Sequence, residues 1–230
     1  MKPIILYALP RSRSTAVLYS CKNKIKLNEP FGLTHIHENK TGHDSWIYRS
    51  ELNINFINSG QWDTIVDKMN CNDTVTKVLS TDLYNFPPSR TWFENSIENE
   101  THEIFIIERE DREESLISYI IAGYFGWNKS TQVDPYKFTQ NIDILPQLNN
   151  LVDSYLRFYP KKGKVITFNN LPESHFDKKL NLNYIKNQES ISKYGYFENI
   201  DEFRIHIKYI LDLYKDEWDS KIRNLDQFDL

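Results

Sequence analysis

Cysteine is nearly missing from this sequence: Cys21 and Cys71 are the only two. A pair of thiols makes one bridge at most, far below the density of a secreted disulfide scaffold, so both are read as reduced. Glycine and proline are scarce as well, seven and nine in 230 residues, and no stretch rich in either marks a linker. With no linker and no internal repeat, residues 1–230 are expected to form one domain around one sizeable core. Long apolar runs are missing too. The apolar run nearest the N-terminus extends only from Ile4 to Leu9, far short of the roughly 20 residues that span a bilayer and short for the core of a signal peptide. A soluble, cytoplasmic protein without a membrane span is therefore expected. Positive charge is the last deficit: 28 Lys and Arg against 32 Asp and Glu leave a net −4. That balance excludes a general nucleic-acid binder, whose phosphate contacts need an excess of base. Any anion site has to be local.

What the chain does have is a series of short apolar segments alternating with helical periods. Ile4 to Leu9, closed by Pro10, reads as a buried parallel strand. Val17, Leu18, Cys21 and Ile25 then fall on one face of a helix that Ser12 or Ser14 can cap. The stretch from Ile25 to Gln61 is polar and without a period, and is read as mostly loop. Further strands are expected at Thr74–Ser80, Glu103–Glu108 and Lys164–Phe168. Helices are expected at Asp111–Phe125 and Leu148–Phe158, and a closing one through Phe203, Ile207, Ile210 and Trp218. Such alternation implies an α/β fold of three layers, a central parallel sheet flanked by helices. Ligands in these folds bind beyond the carboxyl ends of the strands, which directs attention to the segments Leu9–Thr15, Ser80–Asn85 and Glu108–Ser115.

The first of these, LPRSRST, sets two arginines and three hydroxyls between a buried strand and a helix start. Free backbone N–H groups there attract anions, and the side chains add donors. A helix cap beside two solvated arginines is the plainer alternative; the strand before and the helix after favour the anion site. The ATP or GTP loop G-x-x-x-x-G-K-[ST] is not present, since neither the paired glycines nor the lysine occur. The P-R-S-x-S-T pattern instead resembles the 5′-phosphosulfate loop of sulfotransferases that use 3′-phosphoadenosine 5′-phosphosulfate (PAPS), relatives of the nucleotide kinases. The resemblance implies a P-loop NTPase-like sulfotransferase fold of the bacterial or carbohydrate type. It also implies that Arg11 reaches the phosphosulfate while Ser12, Ser14 and Thr15 hold the 5′-phosphate. Arg13 stands where that loop usually has glycine, and points to solvent or to the acceptor.

The family grips the 3′-phosphate with an Arg at a later strand end and a Ser in the next helix. In IFIIEREDREESLISY, Arg109 and Ser118 are similar to the pattern R-x-D-x-x-x-x-x-x-S, with Ser115 as the alternative hydroxyl. A forked guanidinium and a hydroxyl suit a dianionic phosphate. The opposing reading is an acid-rich, solvated helix start, in which Glu110, Asp111, Glu113 and Glu114 complement the macrodipole. Arg112 is read as a partner of those acids.

Sulfuryl transfer needs a base for the acceptor and cations for the leaving phosphate. LNEPF resembles the x-x-E-[PY]-F stretch that carries the catalytic glutamate in related enzymes, which implies Glu29 as base, with Asp82 as the reserve. Lys77 contacts the sulfuryl group or merely flanks its strand; the K-T-H histidine of steroid-type enzymes is replaced by Val78 and Leu79. The resemblance implies no metal, and the spacing of His35, His37 and His43 fits no zinc pattern. KVITFNNL is similar to a late strand and turn of the family, and SKYGYF either stacks on adenine or packs the core. The acceptor, a small molecule or a carbohydrate, is left to the loops near 30–60 and 125–145. There Trp46, Trp62, Tyr124, Trp127 and Tyr136 either stack on a ring or pack inward. Two other functions stay open: a P-loop phosphotransferase using ATP, and a non-catalytic nucleotide-binding protein of the same fold.

Overall fold

A computed structural model of the chain describes residues 2–12, 14–21, 24–30, 62–125, 141–168 and 198–227. The first strand, β1 (Ile4–Ala8), is buried along its whole length, as a run of five apolar residues with a strand on either side must be. It is followed by α1 (Ser14–Ser20), β2 (Ile25–Asn28), α2 (Trp62–Met69) and β3 (Thr74–Leu79). Two helices, α3 (Ser80–Asn85) and α4 (Pro87–Glu98), lead to β4 (Glu103–Arg109) and α5 (Arg112–Phe125). A 3₁₀ turn at Ile142–Ile144 enters α6 (Leu145–Arg157), and β5 (Lys164–Phe168), α7 (Ile200–Arg223) and the two-residue β6 (Asp226–Gln227) complete the described chain.

The strands form one sheet in the order β2-β3-β1-β4-β5-β6, every pair parallel. Alternation along the strands divides the core in two. Ile5, Tyr7, Val78, Ile104, Ile106 and Val165 face a large cluster fed by α2 through α7, with Met69, Leu83, Phe93, Leu116, Leu151 and Phe203 among its members. On the other face Ile4, Leu6, Ala8, Val75, Phe105, Ile107 and Ile166 meet Val17 and Leu18 of α1 and the adjoining Cys21. This is the expected α/β arrangement, a parallel sheet with helices around it. No helix of the described residues is long and apolar enough to cross a membrane.

The topology singles out one place on the sheet. From β1 the chain crosses towards β2, whereas from β4 it runs the opposite way towards β5. Neighbouring strands whose connections diverge leave a crevice beyond their carboxyl ends, the usual ligand position in such folds. Here the divergence falls between β1 and β4, whose in-register pairing runs from Ile4↔Glu103 to Ala8↔Ile107.

Two local expectations are corrected. Ile25 does not continue the first helical face: α1 stops at Ser20, and Ile25 opens β2 with half its surface exposed. The four residues IKLN carry no legible period, and their strand state comes from pairing with β3, helped by the Ile25 amide on Asp73 O at 2.8 Å. Ser80 does not close β3, which ends at Leu79, but opens α3, a helix that begins directly at the strand end. The Asp82 carboxylate accepts the Leu79 N–H at 3.1 Å, and Pro87 then starts α4. Six residues with one deeply buried apolar side chain, Leu83, are too few to show a helical repeat.

Candidate active site

Two backbone turns build the site. Leaving β1, the chain passes Pro10 and enters the left-handed region at Arg11, with φ 68°, while Ser12 N donates to Leu9 O at 3.2 Å. Leaving β2, it does the same at Glu29, φ 54°. For a residue with a Cβ this conformation costs roughly 1–2 kcal/mol, and such strain gathers where side chains must be aimed. Arg11 and Glu29 are two of the three non-glycine residues with positive φ among the described residues.

The Arg11 turn sends its guanidinium across the β1/β4 crevice, where Nε donates to Ser118 Oγ of α5 at 3.2 Å. Arg109, the last residue of β4, is buried and near enough for its charge to act on Arg11. Burial first, and then the Arg109 charge, push the Arg11 guanidinium below its ordinary range; Glu29 acts in the opposite sense. Arg11 and Ser118 thus meet at the switch point, with Arg109 at the end of the adjoining strand β4. The alternative hydroxyl is used otherwise, since Ser115 Oγ turns back to Asp111 O at 3.5 Å. The acids of this helix start are likewise engaged locally: Asp111 Oδ1 caps the Glu114 N–H at 2.9 Å, and Glu113 pairs with Arg204 at 3.1 Å. Arg112 pairs with Asp219 of α7 rather than with those sequence neighbours, and lies over the Trp218 ring at 4.3 Å.

The Glu29 turn makes a second group. In an unbroken strand Asn28 and Glu29 would point to opposite faces. The left-handed step takes Glu29 out of the strand, and its Oε1 meets Lys77 Nζ at 2.5 Å. Lys77 is 2% exposed, sits in the middle of β3, and also donates to Thr15 Oγ1 of α1 at 2.6 Å. One ammonium therefore ties the first loop, through Thr15, to the acid. Asp82, the reserve acid, is buried and occupied at the Leu79 amide.

Buried polar atoms at the strand tips complete the description. Ser12 Oγ, Asn28 Oδ1 and Ser80 Oγ are each buried and have no hydrogen-bond partner. They follow the carboxyl ends of β1, β2 and β3, the edge at which ligands of a parallel sheet bind. Buried polar groups are nearly always paired, so three orphans on one edge point to an absent partner molecule. The sequence singled out Ser12 but not Asn28 or Ser80. For Asn28 the one available signal was an amide directly before the candidate acid, since the strand that it ends was not legible. Ser14 is buried at the start of α1.

Other sequence candidates lie outside the described residues: Arg13, His35, His37, His43, Trp46, Trp127, Tyr136, the SKYGYF segment and the turn after Phe168. So do the side chains of Trp62 and Tyr124. Among the described residues no group of three or more His, Cys, Asp or Glu is arranged to hold a metal ion. No protein-family model, no curated protein and no solved structure matches this chain.

Proposed function

We propose that the protein is a sulfotransferase, moving a sulfuryl group from PAPS to a hydroxyl or amine of an acceptor and leaving adenosine 3′,5′-bisphosphate. The observation that carries this reading is the hydrogen bond of Arg11 to Ser118 across the β1/β4 crevice, beside Arg109 at the end of β4. Buried guanidiniums favour anions beside them, and a dianionic phosphate on each suits their forked donors. A nucleotide with phosphates at both ends of its ribose suits two clusters of donors on neighbouring strand tips. The orphaned Ser12 hydroxyl suits a phosphate oxygen.

On this reading Arg11, Ser12, Ser14 and Thr15 hold the 5′-phosphate end, and Arg109 with Ser118 the 3′-phosphate. When bound, PAPS supplies the sulfuryl group and a phosphate leaving group. Glu29 has one oxygen on Lys77, and the other takes the proton as the acceptor oxygen or nitrogen bonds to sulfur. Arg11 and Lys77 balance the charge that collects on the 5′-phosphate oxygen as its bond to sulfur breaks.

Calorimetry with adenosine 3′,5′-bisphosphate tests the reading. Binding is expected for the natural chain, and Arg11→Ala and Arg109→Ala are each expected to weaken it about 10- to 100-fold, as loss of a charge-assisted hydrogen bond does. No heat from the natural chain overturns the proposal.

One observation favours a second reading, transfer of a phosphoryl group from ATP. Through Thr15, Lys77 brings to the loop the lysine that the loop itself lacks, and nucleotide-phosphate loops use such a lysine. Thermal shifts with ATP and magnesium against PAPS separate the two, since only the true ligand raises the melting temperature strongly.

A further inference from the structure

We propose that Asn28 is a specificity-determining residue whose Oδ1 accepts a hydrogen bond from the acceptor, next to the atom that attacks. This inference rests on the sulfotransferase reading above and adds to it the kind of acceptor: one carrying a second O–H or N–H beside the reacting one. Three observations lead to it.

Asn28 is 3% exposed, and its Oδ1 has no hydrogen-bond partner. A buried amide oxygen left unpaired costs stability, and no hydrogen bond in the described residues accounts for its presence there. Its location is specific as well. Asn28 is in register with Lys77 on the adjacent parallel strand, and in-register parallel neighbours project their side chains to the same side of the sheet. Lys77 Nζ marks that side by bonding Thr15 and Glu29. Finally, the left-handed turn at Glu29 returns the carboxylate to Lys77, the residue with which Asn28 is in register, so the candidate base and the orphaned amide belong to one corner of the sheet.

Asn28 and Glu29 are consecutive residues at the end of β2, with Cα atoms about 3.8 Å apart, and the turn at Glu29 brings both acceptors to the β3 side. They therefore match two donors on adjacent or next-adjacent carbons, as in a vicinal diol or an amino alcohol. An acceptor with a single hydroxyl leaves the Asn28 oxygen buried and unpaired, and a site built to accept a hydrogen bond discriminates strongly against a molecule lacking the donor.

The test compares the natural chain with Asn28→Leu in three measurements. In thermal melts without ligand, Asn28→Leu is expected to melt at the same temperature or higher; a fall of several degrees marks a structural role and overturns the inference. In transfer of labelled sulfuryl groups from PAPS, the natural chain is expected to favour trans-1,2-cyclohexanediol over cyclohexanol at least tenfold, and the variant to bring that ratio near one. A ratio unchanged by the substitution, or equal or no transfer to both probes by the natural chain, overturns it. Calorimetry with adenosine 3′,5′-bisphosphate distinguishes the two levels of argument. Failure of the natural chain to bind this nucleotide removes the sulfotransferase reading itself, whereas normal binding with an unchanged ratio removes only the role of Asn28.

Discussion

On the sulfotransferase reading, the chemistry rests on a single side chain at Glu29. Its carboxylate is held at one oxygen by Lys77, and its backbone N–H donates to Lys77 O at 3.2 Å, so both ends of the residue are fixed on β3. Glu29→Gln keeps the shape and removes the proton acceptor. Transfer from PAPS is expected to fall about 10²- to 10⁴-fold, the usual range for losing a general base, with affinity for adenosine 3′,5′-bisphosphate nearly unchanged. Single-turnover rates beside calorimetric titrations check both halves; an unaltered rate removes Glu29 as the base. The LNEPF motif pointed to this acid, and LPRSRST to Arg11, because loop chemistry is written in consecutive residues. The partnership of Lys77 with Thr15 and Glu29 was not legible, since it joins residues 62 and 48 positions apart and depends on strand order. Nor could the sequence choose between Lys77 as a participant and as a strand residue; only its buried contacts with loop and acid speak to that.

Among the elements, β4 and α7 are joined by an acid that the mechanism does not use. Glu108 is buried in the strand, accepting Tyr155 OH at 2.7 Å and Trp218 Nε1 at 3.1 Å. Tyr7 of β1 stacks on Tyr155 at 5.2 Å and donates to its carbonyl at 2.8 Å. Burial pushes the Glu108 carboxyl above its ordinary value of 4.5; the hydrogen bonds from Tyr155 and Trp218 and the charge of Arg112 pull the other way without cancelling it. The native chain therefore keeps this proton over a pH range in which the unfolded chain has released it. The contribution of Glu108 to stability is full below about pH 4.5 and declines as pH rises through the raised folded value. Glu108→Gln carries no such proton. The stability of the natural chain relative to this variant is expected to decline as pH rises from 4.5, read from urea midpoints at a series of pH values. A constant or growing advantage contradicts the assignment.

Long periodic elements were the legible ones: α5, α6 and α7 follow from their apolar spacing, and β1, β3, β4 and β5 from short apolar runs. The rest was missed: α4, though twelve residues long, has only Trp92 and Phe93 as buried apolar side chains, and the other missed elements are short. The strand state of β2 and β6 comes from neighbours far away in sequence, and α3 has too few residues to declare a period.

For the whole molecule, the sheet order brings Arg11 within bonding distance of Ser118, 107 residues on. No local signal carries that juxtaposition; it follows from β1 and β4 being neighbours, which the sequence permits but does not state. A ligand bridging their tips links distant parts of the chain, so its binding should be felt as global stability. At a hundredfold excess over its dissociation constant, adenosine 3′,5′-bisphosphate is expected to add about 2.7 kcal/mol, a rise of roughly 5–10 °C in melting temperature for a chain of this length. Scanning calorimetry checks it, and Arg11→Ala or Arg109→Ala should shrink the rise.

The place of β1 has one more consequence. Each of its five residues is buried and registered against a strand on both sides, so its amides should be among the last to trade hydrogen for deuterium, opening only when the chain as a whole unravels. The loop proposed to grip the anion is thus mounted on the stiffest rod in the molecule, and its aim should survive the breathing of every outer helix.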